Sequence, residues 1–87
     1  MQPGVPETVN SRGAALRRLD RPQEALAAHD EAISIEPTLA SAHAGRAEAL
    51  RKLERWSESV ASYDTAIELE PDRADYRQER SEIARNL

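Results

Sequence analysis

The stretch that decides the fold is ISIEP at residues 33–37, which recurs as IELEP at residues 67–71. The two stretches are 34 residues apart, and the same offset aligns many other positions without a gap. The aligned pairs are Arg12 with Arg46, Ala15 with Ala49, Leu16 with Leu50, Arg17 with Arg51, Leu19 with Leu53, Ala27 with Ala61, Asp30 with Asp64 and Ala32 with Ala66. Self-similarity at a fixed period of this length is the signature of a stacked repeat protein.

Each unit is predicted to be a pair of helices, because apolar residues recur at helical spacing and no strand pattern is found. Pro22 suits the first turn of a helix, whereas Pro37 and Pro71 cannot continue one. The predicted helices cover residues 7–19, 22–35, 40–53, 56–69 and 72–86. The predicted inner faces of the first unit comprise Val9, Ala15, Leu16 and Leu19, then Ala25, Leu26, His29, Ala32 and Ile33.

The repeat also predicts how the chain is divided. One helical hairpin cannot bury its apolar face alone, so the units must stack on one another. The predicted parts are an N-terminal tail (residues 1–5), a first repeat (6–39), a second repeat (40–73) and a final helix (74–87). The final helix is either a cap or the first helix of a third repeat, since its residues continue the register.

Composition and charge exclude several classes of function. The 87 residues carry a net charge of −4, which argues against a nucleic acid as the main partner. Uncharged runs are too short to cross a membrane. With no cysteine, no Gly-rich phosphate loop and no metal-binding spacing around His29 or His43, we predict no metal, no cofactor and no catalytic residue. Both histidines are predicted to be packed in the core.

The N-terminal residues and the amino-acid composition suggest where the protein is located and what kind of organism it comes from. Residues 1–6 lack a basic region followed by an apolar stretch, so we see no signal peptide and expect a cytoplasmic protein. The sequence is rich in Ala and Arg and poor in Lys, which fits a bacterial genome of high GC content.

The period, the helix pairs and the marker residues resemble the tetratricopeptide repeat, whose signature is W-x2-L-G-x2-Y, then A-x3-F, then P. These places hold Val9, Arg12, Gly13, Leu16, Ala25, His29 and Pro37 in the first unit, and His43, Arg46, Ala47, Leu50, Ser59, Tyr63 and Pro71 in the second. The resemblance covers residues 6–87, although the opening Trp and Leu are missing and His29 replaces an aromatic residue.

This resemblance implies an all-α, right-handed superhelix, a solenoid of two helix-turn-helix repeats plus the final helix. Its first helices would line a concave groove that holds a peptide or helical segment of another protein. Members of the family that grip the carboxylate end of chaperone tails use Lys, Asn and Arg. The corresponding positions here include Gly45, Asp75 and Glu79, so that function is not implied.

The groove candidates lie on the face of the first helices that avoids the core: Asn10, Arg17, Arg18, Glu48, Arg51, Lys52, Gln78 and Arg85. Arg17, Arg51 and Arg85 share one repeat position and would form a ladder for the carboxylates of an acidic ligand. The single asparagine of the set would suit a peptide backbone. The alternative is an ordinary solvated face, because Glu48 and Glu82 precede two of these arginines by three residues, the spacing of intrahelical ion pairs.

The sequence therefore predicts a non-enzymatic protein–protein interaction module, an adaptor or scaffold with a protein or peptide ligand. Two alternatives remain open. In the first, copies of the chain associate through the ends of the stack and form a structural homo-oligomer. In the second, the chain is the repeat portion of a larger enzyme whose catalytic domain lies elsewhere.

Overall fold

The computed structural model describes residues 5–87, and within them the chain forms five α-helices and no strand. The helices are α1 (Pro6–Arg18), α2 (Pro22–Ile35), α3 (Ala40–Lys52), α4 (Trp56–Leu69) and α5 (Ala74–Ala84). The all-α fold predicted from the sequence is confirmed. Apart from Val5, the predicted N-terminal tail lies outside the described residues.

The same turn ends the first helix of each repeat. Asp20 and Glu54 adopt a left-handed backbone conformation, with φ of 59° and 58°. The N–H of the following residue, Arg21 or Arg55, donates to the carbonyl oxygen five residues earlier at 2.9 Å. This is the Schellman pattern, in which glycine is the usual residue at the left-handed position. Both hairpins therefore reverse direction at equivalent residues and with the same geometry.

The fifth helix is shorter than the predicted range of 72–86. Pro71 cannot continue a helix and leaves the preceding Glu70 extended, at φ −135° and ψ 78°. The N–H of Arg73 then donates to the carbonyl oxygen of Glu70 at 3.2 Å, so a turn precedes α5. At the other end the N–H of Asn86 bonds to Ile83 in a turn, which ends the helix at Ala84.

The helices stack in chain order into a slab of 43 × 27 × 17 Å. Each helix packs on the next one, and α1 also contacts α3, so the first helices of the two repeats lie side by side. The larger core cluster joins α3, α4 and α5, and it consists of Ala40, Ala44, Ala47, Val60, Tyr63, Ala66, Tyr76 and Ile83. The smaller cluster joins α1, α2 and α3 through Val9, Ala32 and Ala42.

The predicted inner face of α1 is wrong at two positions. Val9 is buried as predicted, but Ala15 is exposed and Leu19 is 66% exposed. The equivalent residues of α3, Ala49 and Leu53, are buried and half-buried. The difference arises because α2 packs against α3 on that side, whereas no helix among the described residues packs there on α1.

One ion pair recurs at both joints between repeats. Arg46 Nε donates to Asp30 Oδ1 at 2.7 Å, and Arg80 Nε donates to Asp64 Oδ1. A shift of 34 residues converts one pair into the other. Both carboxylates are about half exposed, so each pair contributes at most about 1 kcal/mol. The pairs mark the register in which a first helix packs on the preceding second helix.

Candidate functional site

A cleft between α1 and α3 brings together five of the eight groove candidates. It has a volume of about 130 Å³, and it is lined by Arg17, Arg18, Glu48, Arg51 and Lys52. The four cationic side chains come from the last turns of the two helices, where the negative end of each helix dipole also favours positive charge. The cleft therefore carries four positive charges and one carboxylate.

The carboxylate of Glu48 is fully engaged within the molecule. Arg51 donates to its Oε1 from Nε at 3.2 Å and from Nη2 at 2.9 Å. Tyr63 donates its hydroxyl to Oε2 at 2.7 Å. The hydrogen bond that Arg51 donates to Glu48 raises the pKa of Arg51, while burial and the same carboxylate raise the pKa of Tyr63. The intrahelical alternative is thus observed for Arg51, and Glu48 offsets its charge.

The other three cations of the cleft have no such partner. Within residues 5–87, no ion pair involves Arg17, Arg18 or Lys52. The Nε of Arg17 is in addition buried and has no hydrogen-bond acceptor among the described residues. A buried donor without an acceptor costs about 1–3 kcal/mol. The cleft therefore favours a ligand group that brings negative charge.

Beneath this face, the ring of His29 is enclosed between two helix backbones. The side chain is only 1% exposed, and it reaches from α2 to Gly13 of α1 and Gly45 of α3. A Cβ atom added to Gly13 would lie 2.7 Å from His29 Cε1, and one added to Gly45 would lie 2.3 Å from it. Real Cβ contacts are not this short, so both glycines are needed for the ring to fit.

A chain of hydrogen bonds fixes the tautomer of His29. Asn10 Nδ2 donates to Ser41 Oγ at 3.0 Å, so its Oδ1 accepts from the protonated Nδ1 of His29 at 2.7 Å. The other ring nitrogen, Nε2, is buried without a partner. Burial, and next the charge of Arg17, lower the pKa of His29 to about 4 against a small opposing effect of Asp30. His29 is the packed core residue that the sequence predicts, and the lowered pKa makes it neutral at physiological pH.

His43 differs from the prediction of a packed core histidine. It is half-buried, and its Nε2 donates to the carbonyl oxygen of Pro37 at 2.8 Å. Because a carbonyl oxygen only accepts, this bond requires a proton on Nε2. His43 therefore fastens the loop between the repeats and is not part of the buried cluster.

The remaining groove candidates lie outside the cleft. Asn10 is half-buried, and both of its polar atoms bond within the molecule, so its role toward a peptide stays a prediction. Gln78 and Arg85 are exposed, and Arg85 lies at the C-terminal cap of α5. No ion pair between Glu82 and Arg85 is found in the described part of the chain. The structure thus joins two members of the predicted arginine ladder and leaves the third apart.

The neighbouring part of the groove, toward α5, is acidic. A cavity of about 360 Å³ is lined there by Arg51, Trp56, Glu79, Glu82, Ile83 and Asn86. Burial and the nearby charges of Glu48 and Glu82 raise the pKa of Glu79. A negatively charged ligand group is therefore repelled from this end and attracted to the cleft between α1 and α3.

Three contacts were missed in the sequence, and the third of them could have been found. The bonds from Tyr63 to Glu48 and from Asn10 to Ser41 join residues 15 and 31 positions apart, and no periodicity indicates them. The ion pair between Asp30 and Arg46 has a signal, because both of its members recur 34 residues later. Repeated opposite charges on successive helices are the pattern to search for.

Two further features are absent from residues 5–87. No three side chains of His, Cys, Asp or Glu cluster there as metal ligands would. None of the helices in this range has the length and apolar character needed to traverse a bilayer.

These features define a helical-repeat protein with a cationic cleft between the first helices of its repeats. Residues 40–73 match the family model of the tetratricopeptide repeat, and a search of curated proteins returned no match. The second repeat and the fold of the chain are those of the tetratricopeptide-repeat family, as the sequence resemblance predicted.

Two solved structures share this fold. One is the first TPR of Spaghetti (RPAP3) bound to the HSP90 peptide SRMEEVD, with a TM-score of 0.90. The other is the NMR structure of the first TPR domain of human RPAP3, with a TM-score of 0.91. Each is 23% identical in sequence and covers 93% of this chain, which spans 64% of the length of either structure.

Proposed function

We propose that the protein is a non-enzymatic interaction module that binds an acidic segment of another protein in its concave groove. A carboxylate of the ligand would lie over the cleft between α1 and α3. The observation that carries this proposal is the net positive charge of the cleft, whose Glu48 is already bound by Arg51 and Tyr63. Charge-assisted hydrogen bonds from arginine forks to carboxylates are the strong pairing available to such a site.

The orientation of the ligand follows from the charges of the groove. Glu79 and Glu82 repel acidic groups at the α5 end, so the acidic residues of the ligand would lie over Arg17, Arg18 and Lys52. The HSP90 peptide in the similar structure contains adjacent acidic residues, which supports the class of ligand. It does not support the same contacts, because Asp75 and Glu79 stand where that mode of binding needs cations.

A binding assay with defined peptides tests the proposal. We expect a fluorescein-labelled pentaglutamate peptide to bind the protein and a pentaglutamine peptide to bind at least tenfold more weakly, with an affinity that falls as salt rises. Lys52→Gln removes an exposed charge of the cleft and should weaken binding about tenfold, in line with the loss of one charge-assisted contact.

The matched control is Arg77→Gln, which removes the same charge from an exposed position of α5 outside the cleft. It should leave the affinity for pentaglutamate unchanged within about twofold. Equal losses in Lys52→Gln and Arg77→Gln would show attraction to overall charge and reject the cleft. Equal binding of the two peptides would reject the acidic ligand.

A further inference from the structure

A second surface, separate from the groove, is formed by one face of α1. Its residues follow each other at steps of three and four, so they lie in a single stripe along the helix. They are Val5, Thr8, Arg12, Ala15 and Leu19, and all five are exposed. Val5 is 52% exposed and Leu19 is 66% exposed, and they are among the large apolar side chains that the described structure leaves in solvent. We call this set the α1 stripe.

The equivalent stripe of α3 is covered. It consists of Leu39, Ala42, Arg46, Ala49 and Leu53, and each of these residues is buried or half-buried. The helix that covers it is α2 of the preceding repeat. In α5 the covering is confined to the middle of the stripe: Tyr76 and Ile83 are 5% and 1% exposed because α4 packs on them, whereas Leu87 at the end is 69% exposed. In both α3 and α5, the element that packs on this face is therefore the second helix of the preceding repeat.

Arg12 at the centre of the α1 stripe has the charge needed for such a contact. The equivalent Arg46 and Arg80 pair with an Asp of the covering helix. Arg12 instead pairs with Glu31 of its own repeat at 2.9 Å, and the two side chains are 57% and 49% exposed. An exposed pair of this kind is weak, so it does not hinder a competing carboxylate.

We infer that the α1 stripe is a docking site for an amphipathic helix of a partner protein that presents a carboxylate to Arg12. The covering helices of this chain define the pattern, since each has an aliphatic residue four positions before and three positions after its Asp. In α2 these are Leu26, Asp30 and Ile33, and in α4 they are Val60, Asp64 and Ile67. The partner helix repeats this pattern, and its aliphatic residues cover Val5, Ala15 and Leu19. This surface does not depend on the proposed function of the groove.

The test uses the full chain and a peptide of its own α4 sequence, residues 56–70, supplied in trans. A lactam bridge on the solvent side of the peptide keeps it helical, because an isolated helix of this length is marginally stable. We expect saturable binding by fluorescence anisotropy. Arg12→Glu should weaken it at least fivefold, and a peptide with Asp64→Lys should recover that affinity with Arg12→Glu.

Two controls separate this surface from the others. Arg21→Glu reverses an exposed charge outside the stripe and should change the affinity less than twofold. Arg80→Glu alters the joint between α4 and α5, and it too should have little effect. Loss of binding in Arg80→Glu but not in Arg12→Glu would show that the peptide replaces α4 in its own joint, and the inference would be overturned.

Two further results would contradict the inference. Absence of peptide binding, or binding that Arg12→Glu does not weaken, would exclude the α1 stripe as a helix site. Sedimentation velocity measures whether the chain itself associates, and we expect a monomer. A dimer that Arg12→Glu dissociates would place a second copy on the stripe and overturn the assignment to a partner helix.

Discussion

The two joints between repeats share a backbone arrangement but differ in the ring that fills them. In the first joint His29 lies between Gly13 and Gly45, and in the second Tyr63 occupies the equivalent place. The positions equivalent to the two glycines hold Ala47 and Glu79. The first joint thus encloses its ring tightly between two helix backbones, whereas in the second the hydroxyl of Tyr63 reaches Glu48 at 2.7 Å.

The polar groups of the two joints differ accordingly. His29 uses one ring nitrogen for Asn10 and leaves the other buried without a partner. The second joint has an aromatic pair, Tyr63 and Tyr76, with ring centres 5.9 Å apart, and Arg73 lies over the ring of Tyr76 at 4.1 Å. The first joint is therefore sensitive to fit and protonation, while the second depends on apolar packing and one hydroxyl.

The largest expected effect tests the tight fit of the first joint. Gly45→Ala adds a methyl group that would lie 2.3 Å from His29, and Gly13 prevents the ring from moving away. We expect a loss of about 3 kcal/mol in the free energy of unfolding, measured by urea denaturation. In an ordinary helix position the same change stabilises by about 1 kcal/mol, so the sign alone is informative.

The reverse change in the second joint is the control for this experiment. Ala47→Gly removes a buried methyl group from the position that matches Gly13, and it should cost about 2 kcal/mol through helix propensity and lost burial. A Gly45→Ala variant as stable as the wild type would show that the ring of His29 is not confined by the two backbones.

The next effect concerns pH and also belongs to the first joint. The pKa of His29 is lowered to about 4 in the folded chain, so the unfolded chain binds the proton first as pH falls. The stability due to neutral His29 is complete above about pH 6.5 and is lost toward pH 4, with about 2 kcal/mol gone at pH 5. Urea denaturation at pH 8 and pH 5 should show this loss, and His29→Gln should lose about 2 kcal/mol less between the two values.

The loss between pH 8 and pH 5 is measured within each variant. The effect of the substitution on stability at pH 8 is therefore subtracted. Tyr63→Phe in the second joint should keep the pH dependence of the wild type. If His29→Gln keeps it as well, the acid sensitivity arises from carboxylates and not from the first joint.

The smallest effect concerns the hydroxyl of the second joint. Tyr63→Phe removes the hydrogen bond to Glu48 and should cost about 1 kcal/mol at pH 7 in urea denaturation. Glu48→Gln and the double variant complete a double-mutant cycle, which isolates the coupling between the two side chains. A coupling energy of zero would mean that the hydroxyl and the carboxylate do not interact in solution.

Much of this architecture could be predicted from the sequence, because the two repeats can be aligned with each other. The 34-residue offset and the prolines predicted five helices, with ends that differ from the structure by at most two residues. Five residues of the cleft were predicted together, because Arg17 and Arg51 share one repeat position and their neighbours follow on the same helical face.

The rest required the three-dimensional arrangement. Helical periodicity placed Ala15 and Leu19 on an inner face, but it does not reveal whether a neighbouring helix is present to cover them. The contacts of Asn10 with His29 and Ser41 depend on the ring passing between two glycines, which no spacing in the sequence indicates. Features that recur in both repeats were predicted well, whereas the exposure of residues at the edge of the stack was not.

The left-handed residues Asp20 and Glu54 have a practical consequence for protein engineering. A non-glycine residue in this conformation costs about 1 kcal/mol relative to glycine. Neither residue lines the cleft or belongs to the α1 stripe, so glycine at both turns would raise thermal tolerance and leave recognition unchanged. The stability gained at these two turns can offset destabilising substitutions that are introduced to alter what the protein binds.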